Sequence, residues 1–299
     1  MLLRVLGSSA GGGFPQWNCA CDNCALVRAG DPRFVARTQD SVAIESQGRW
    51  LLVNASPDVL RQIEATPALA PRAGRDTPIA AIVLTNGDLD HVLGLFSLRE
   101  SQRLVVYATP RVWKDLVSRN AIARTLQRFE GQITHRPLVI DEPCRVPELG
   151  DLAITAFAAP GKLPVHLVGV TEPSGEDNVG LRIESRGRVV TYATAVRDAA
   201  AVARRFSPSD VLLLDGTFWT SDELVARGLG SARAEDMAHQ PLGGDGGSLA
   251  ALASISNVGR KILTHINNTN PILRDGSPER ARAIDSGWEI AYDGMEVEL

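Results

Sequence analysis

A run of strands that gives way to alternating strands and helices occurs twice along this sequence, once in each half, and that repetition restricts the fold more than any other feature. In the first half, apolar and alternating runs predict strands at 2–6, 41–46 and 50–54, the last two joined through Gln47-Gly48. Ser56 and Pro57 read as a helix start, with the serine oxygen capping an orphan amide and proline at a position that needs none; that helix is expected over 57–65. Residues 67–78 read as a surface connection. After it come a buried strand at 79–84, a helix at 90–101, a strand at 104–107 and a helix following Thr109-Pro110. In the second half, strands within 138–192, among them 180–185 and 188–192, precede a helix at 199–206, a strand at 210–214, helical segments near 222–227 and 247–258, and a strand at 260–264. Two β-rich halves that each carry helices bury their sheets against one another and keep the helices outside. The expected fold is therefore α/β, a four-layer αββα sandwich, with residues 1–299 as a single domain because no polar linker parts the halves.

Composition narrows the function. The chain has 299 residues, 31 Lys+Arg against 35 Asp+Glu for a formal charge of −4, and 44% hydrophobic residues. This is globular composition at a length that buries a substantial core without a metal staple. A mildly acidic balance argues against a nucleic-acid partner, because phosphate-backbone binding rests on a surplus of Lys and Arg. The longest apolar runs, 79–84 and 211–214, fall far short of the roughly 18 residues that span a bilayer, so no membrane insertion is expected. The first six residues are too short and too interrupted for a signal peptide, and a cytoplasmic location is expected.

Two clusters carry chemistry. Cys19, Cys21 and Cys24 lie within six positions, whereas Cys144 is remote and reads as a packing residue. That clustering is wrong for a disulfide framework, and three thiolates on one loop can converge on a tetrahedral Zn²⁺ as a structural clamp. Partly buried chance cysteines are the alternative. The second cluster follows the apolar strand 79–84, where Thr85-Asn86-Gly87-Asp88-Leu89-Asp90-His91 gathers oxygen and nitrogen ligands at a strand's C-terminal end, the usual place for ligands in α/β sheets. An Asp-rich helix cap explains such a run equally well when it stands alone. The second half offers a counterpart, Leu263-Thr264-His265-Ile266-Asn267, again an apolar strand that ends in Thr-His. If the two ends meet, Asp90, His91 and His265 supply two imidazoles and one carboxylate with coordination positions left open. That set suits non-haem Fe²⁺ and oxygen chemistry, with Zn²⁺ or Mn²⁺ as alternatives.

These residues resemble the metallo-β-lactamase superfamily, whose HxHxDH signature follows a buried strand; here the same frame reads Asn86-x-Asp88-x-Asp90-His91. WNCACDNC, TNGDLDHVLGLFSLRE, LLLDGTFWTSDEL and THINNTNP together are similar to the PqqB family of pyrroloquinoline quinone (PQQ) biosynthesis along nearly the whole chain. The resemblance implies the superfamily's sandwich and one active metal, because Asn86 and Asp88 replace the histidine pair that holds the other ion in dinuclear hydrolases. The superfamily's central histidine and bridging aspartate have no secure match, although His166 and Tyr192-Ala193-Thr194 lie nearby. It further implies iron-dependent hydroxylation, with O₂, of the tyrosine-derived ring in a Glu-Tyr precursor. Soluble carriage of PQQ or its precursor toward the periplasm, or hydrolysis of the parent superfamily's kind, are the alternatives.

In the hydroxylase reading Asp88 orients a ligand or water, and His239 acts as acid or base or meets precursor carboxylates, unless it is a structural polar histidine. Lys or Arg side chains are expected in the pocket because the precursor is acidic. Related phosphodiesterases complete the cysteine site with a histidine three residues after the late active-site histidine. That position here is Asn268, a candidate fourth ligand beside water or another neighbour. A homodimer is left open.

Three weaker features remain. Gly11-Gly12-Gly13 reads as a flexible turn rather than an anion nest. Gly243-Gly244-Asp245-Gly246-Gly247 reads as a turn with Ser248 as helix cap. Phe218 and Trp219 either reach the site or belong to the core.

Overall fold

Side-chain alternation along the strands builds the layers. A computed structural model describes residues 1–299 except Ser101, Arg119 and Pro160. Strands β1 (Leu2–Gly7), β2 (Ser41–Ser46), β3 (Arg49–Val53), β4 (Ile79–Val83), β5 (Leu104–Ala108), β6 (Ile133–Pro137) and β14 (Glu296–Glu298) form one sheet in the order 14-1-2-3-4-5-6. Strands β7 (Pro143–Arg145), β8 (Ala153–Ala158), β9 (Val179–Ser185), β10 (Arg188–Ala193), β11 (Ser209–Asp215), β12 (Val258–Thr264) and β13 (Glu289–Ile290) form the second in the order 13-12-11-10-9-8-7.

In β4, Ala81 and Val83 point into the core shared by the sheets, while Ile82 and Leu84 just beyond it point to the outer helices. In β11, Val211 and Leu213 enter the shared core and Leu212 and Leu214 face outward. Strand residues buried on both faces are what central parallel strands require. The helices α1 (Asp22–Arg28), α2 (Val59–Glu64), α3 (Leu89–Val92), α4 (Pro110–Ser118), α5 (Ala199–Val202), α6 (Glu223–Ala226), α7 (Ser248–Ala251) and α8 (Pro278–Asp285) complete the sandwich. Val59 and Val112 cover the first sheet, and Leu249 and Ala283 cover the second. Each fully buried aliphatic side chain contributes about 1.5–3 kcal/mol. No described helix is long and apolar enough to cross a membrane.

The helical segments differ most from expectation. The helix expected over 57–65 is confined to α2. Ser56 does not cap it; its hydroxyl accepts from the Asp58 amide at 3.2 Å and donates to Gln62 at 3.1 Å. The helix expected over 90–101 is α3 followed by a 3-10 turn at Leu93–Phe96, and its expected end at Ser101 lies outside the described residues. Tertiary contact overrides propensity there. The Gly94 amide donates to Ala55 O at 2.9 Å, and a β-carbon on Gly94 would lie 2.0 Å from Ser56 O.

The segment expected over 247–258 shrinks to α7, with Gly247 rather than Ser248 at its N-cap; the Ser248 hydroxyl is buried without a partner. Asn257, in the left-handed region at φ 55°, turns the chain into β12. Elements α1, α8, β6, β13 and β14 were not anticipated. The three strands are short or lie at an edge, and α8 buries only Ala283, too narrow an apolar face to show in a periodic pattern.

Strands β3 through β6 run parallel, as do β10 through β13. The loops after β4, β11 and β12 leave from strand C-termini, where ligand sites form in α/β sheets.

Candidate metal centre

The loops after β4 and β12 meet. His265 Nε2 lies 3.3 Å from Asp90 Oδ2, and His91 Nε2 lies 3.9 Å from the same oxygen. His91 Nε2 is buried and has no hydrogen-bond partner among the described residues. An orphaned buried nitrogen costs about 1–3 kcal/mol, which a cation between the three atoms would relieve. The electrostatics match a cation as well. Burial opposes the ionised Asp90 carboxyl, but the adjacent His91 and His265 rings outweigh it and hold that carboxyl well below the usual range. Burial likewise opposes a charged His265, yet the hydrogen bond and charge of Asp90 raise this ring to about 9. Two borderline imidazoles and one hard carboxylate form a donor set suited to iron, zinc or manganese.

Both rings are aimed by threonines. The Thr85 hydroxyl donates to Asn54 Oδ1 at 3.0 Å, so its oxygen accepts from His91 Nδ1 at 3.3 Å. The Thr217 hydroxyl has only acceptors for its proton, Asp215 Oδ1 at 2.6 Å and His265 O at 2.9 Å, so its oxygen accepts from His265 Nδ1 at 2.9 Å. In each ring Nδ1 therefore carries the hydrogen and Nε2 presents a lone pair to the centre. His265 occupies the left-handed region at φ 55°, a conformation that costs about 1–2 kcal/mol. Bonds from Ile266 N to Ser8 O at 2.9 Å and from Ala10 N to Ile266 O at 3.0 Å hold it there.

Behind these residues, Asp40 accepts hydrogen bonds from Tyr192 and Thr264, and Asn54 donates to the Tyr192 hydroxyl at 3.2 Å. Complete burial raises the Asp40 carboxyl, against the pull of His265.

A second acid-histidine set adjoins the first. His239 Nδ1 donates to Asp215 Oδ2 at 2.7 Å, and its ring stacks on His265 with centroids 5.4 Å apart. Asp215, His239 and His265 form another group whose ligand atoms lie close enough for a metal. The hydrogen bonds argue otherwise. Asp215 also accepts from the Val196 amide at 2.9 Å and the Thr217 amide at 3.0 Å, so a metal there would displace an already satisfied carboxylate. Burial opposes ionisation of Asp215, but His239 overrides it and brings this carboxyl down to about 2. Asp215 therefore orients His239 and leaves its Nε2 free.

Asp88 and His239 both line a cavity of about 360 Å³ together with Asp90, His91 and His265. Asp88 stands at the N-cap of α3 without a side-chain cap bond, so capping does not account for it; burial and the Asp90 charge raise its carboxyl. Asn86 is withdrawn, its amide donating to Asn178 Oδ1 at 3.1 Å. Phe218 lines the cavity and Trp219 belongs to the core. Gly12 and Gly13, at φ 93° and 71°, form the turn expected there, and a β-carbon on neighbouring Gly11 would lie 3.1 Å from Asp90 Oδ2. His166 is exposed and lines a separate cleft. Cys144 packs against the inter-sheet core.

The three clustered cysteines also converge. Their sulfurs surround the Asn268 side-chain amide, which lies 3.2 Å from Cys19, 3.6 Å from Cys21 and 3.4 Å from Cys24. Half a turn of that amide would bring its oxygen to face the three sulfurs in place of the nitrogen. Burial pushes the Cys24 thiol up to about 11, an acidity that a bound Zn²⁺ would reverse.

Sequence reasoning missed Thr85, Thr217, Asn54 and Asp40 and did not assign Asp215 to His239. A signal existed for Asp215 and Thr217, because DGT directly follows the buried run Val211 to Leu214. None existed for Tyr192 and Asp40, which lie 152 positions apart.

Residues 49–266 match the family described as Beta-lactamase superfamily domain. Coenzyme PQQ synthesis protein B of Cupriavidus necator is 46% identical over 99% of both chains, and that of Methylorubrum populi is 43% identical over all of both. The crystal structure of Zn²⁺-bound PqqB from Methylobacterium extorquens superposes over the full length of both chains with a TM-score of 0.93 at 39% identity. A diphosphatase of the PhnP family, with a TM-score of 0.67 at 22% identity, shares the fold.

Proposed function

The chain belongs to the coenzyme PQQ synthesis protein B family of the β-lactamase superfamily and acts in PQQ biosynthesis, and on that premise we propose that it hydroxylates the tyrosine-derived ring of the Glu-Tyr precursor. The supporting observation is the convergence of Asp90, His91 and His265, with an unpartnered His91 nitrogen, at the wall of a cavity of about 360 Å³. Fe²⁺ held by these three side chains would supply the redox chemistry for ring hydroxylation by O₂, in which one oxygen atom enters the ring and the other leaves as water with two electrons and two protons from an external reductant such as ascorbate, whereas Zn²⁺ there would be redox-silent. Asn86 faces Asn178 and Asp215 is fully engaged, which favours one ion over the pair used in two-metal hydrolysis.

The remaining work falls to the chain's own groups. His239 Nε2 takes the proton of the ring hydroxyl, and Asp215 stabilises the resulting imidazolium through Nδ1. Asp88, across the same cavity, holds a water or a polar substituent in register. Phe218 meets His239 edge-on at 6.0 Å and gives the ring an apolar surface. Cys19, Cys21, Cys24 and Asn268 would hold Zn²⁺ as a clamp outside the chemistry.

The test is an incubation of anaerobically iron-loaded full-length protein with precursor, ascorbate and ¹⁸O₂. Mass spectrometry is expected to find the label in the ring, and none with His265→Ala. Absence of label from the iron-loaded wild type, or full metal affinity in His265→Ala, rejects the reading; tight PQQ binding without turnover marks a carrier.

A further inference from the structure

A second cavity of about 360 Å³ lies beside the metal cavity, and Lys162 lines both. Among the described residues it is the one Lys or Arg on either wall. It is half-buried and engages no hydrogen bond or ion pair among them. Among the described residues, the one acid that lines the second cavity, Asp177, is already paired with Arg111 at 3.0 Å. In the metal cavity, Asp90 faces His91 and His265, and Asp88 feels the Lys162 charge without an ion pair to it among the described residues, so no carboxylate engages the ammonium directly.

The described residues on the N-terminal side of Lys162 rest on an anchored amide. Asn178 Nδ2 donates to Ala159 O at 2.9 Å and to Ala195 O at 3.0 Å, while its Oδ1 accepts from Asn86. A β-carbon on Gly161 would lie 2.9 Å from Asn178 Nδ2, so the backbone before Lys162 packs directly on this anchored amide. Asn86, at a position where the superfamily motif has a histidine, thus takes part in holding the lysine loop.

We propose that Lys162 is a substrate-anchoring residue that pairs with a carboxylate of an aromatic polycarboxylate ligand and thereby fixes which part of that ligand faces the Asp90-His91-His265 centre. This rests on the reading of the metal cavity as the substrate site. A partly buried, unpaired ammonium retains desolvation cost until an anion arrives, so its contact with a carboxylate is worth more than a surface pair. The flexible ammonium donates to the oxygens of one carboxylate, and Arg retains the charge at that position.

The test uses zinc-loaded full-length protein titrated with PQQ, a tricarboxylate, and with its uncharged trimethyl ester, followed by fluorescence quenching. Lys162→Gln is expected to weaken PQQ binding about tenfold and to flatten its salt dependence, and Lys162→Arg to stay within about threefold of wild type. Zinc content and ester binding are expected to be equal in all three proteins. Undiminished PQQ binding by Lys162→Gln, or wild type that binds PQQ no better than the ester, overturns the proposal. The two readings fail separately: Lys162-dependent PQQ binding by an iron-loaded chain that incorporates no oxygen rejects the hydroxylase and leaves the anchor standing.

Discussion

The Nε2 atoms of His91 and His265 are turned toward the candidate metal centre because two hydroxyls engage the opposite ring nitrogens. Thr85 and Thr217 each spend their proton on an acceptor, so each can only receive from Nδ1. Replacing either with valine keeps the volume and removes that lock. Thr217→Val and Thr85→Val are therefore expected to lower affinity at this centre about 10–100-fold while the cysteine site keeps its zinc. A competition titration with a chromophoric chelator measures it, and unchanged affinity would show that the rings are aimed by packing alone. Asp90, His91 and His265 were legible in the sequence because each ends an apolar strand or opens the loop after it. Their orienting partners were not, since Thr85 and Thr217 look like any strand-end threonine until the strands are paired.

Between residue and molecule, the loop after β12 links the two metal sites. It carries His265 at one end and Asn268 three residues later, with Asn23 donating to Asn268 O and Asn270 O, both at 3.1 Å. Asn270 in turn donates to Gly216 O at 2.9 Å beside Thr217. A metal ion held by the three cysteines would thereby support the loop that carries His265. Cys24→Ser is expected to release the structural zinc, speed amide hydrogen exchange over 266–270 and weaken the other centre about tenfold. Exchange mass spectrometry tests this; unaltered exchange in the loop would make the two sites independent. Most strands could be read from their apolar runs, which burial on both faces imposes. The helices were harder, because α3 and α7 end where backbone contacts or a left-handed residue stop them rather than where propensity fails.

Across the whole molecule, one apolar cluster joins Val5, Val42 and Val83 of the first sheet to Leu181, Val190 and Leu213 of the second. We propose on that ground that residues 1–299 are a single domain, since neither sheet buries its inner face alone. Its parallel strands bring loops from both halves to one edge, where Asp90, His91 and His265 would close around a single ion. Metal analysis of the full-length protein counts the ions. Two per chain are expected, one lost in His265→Ala, the other lost in Cys24→Ser, and both kept in His239→Ala. A third ion in the wild type, or two ions still bound by His265→Ala, would rule out a single ion at that edge.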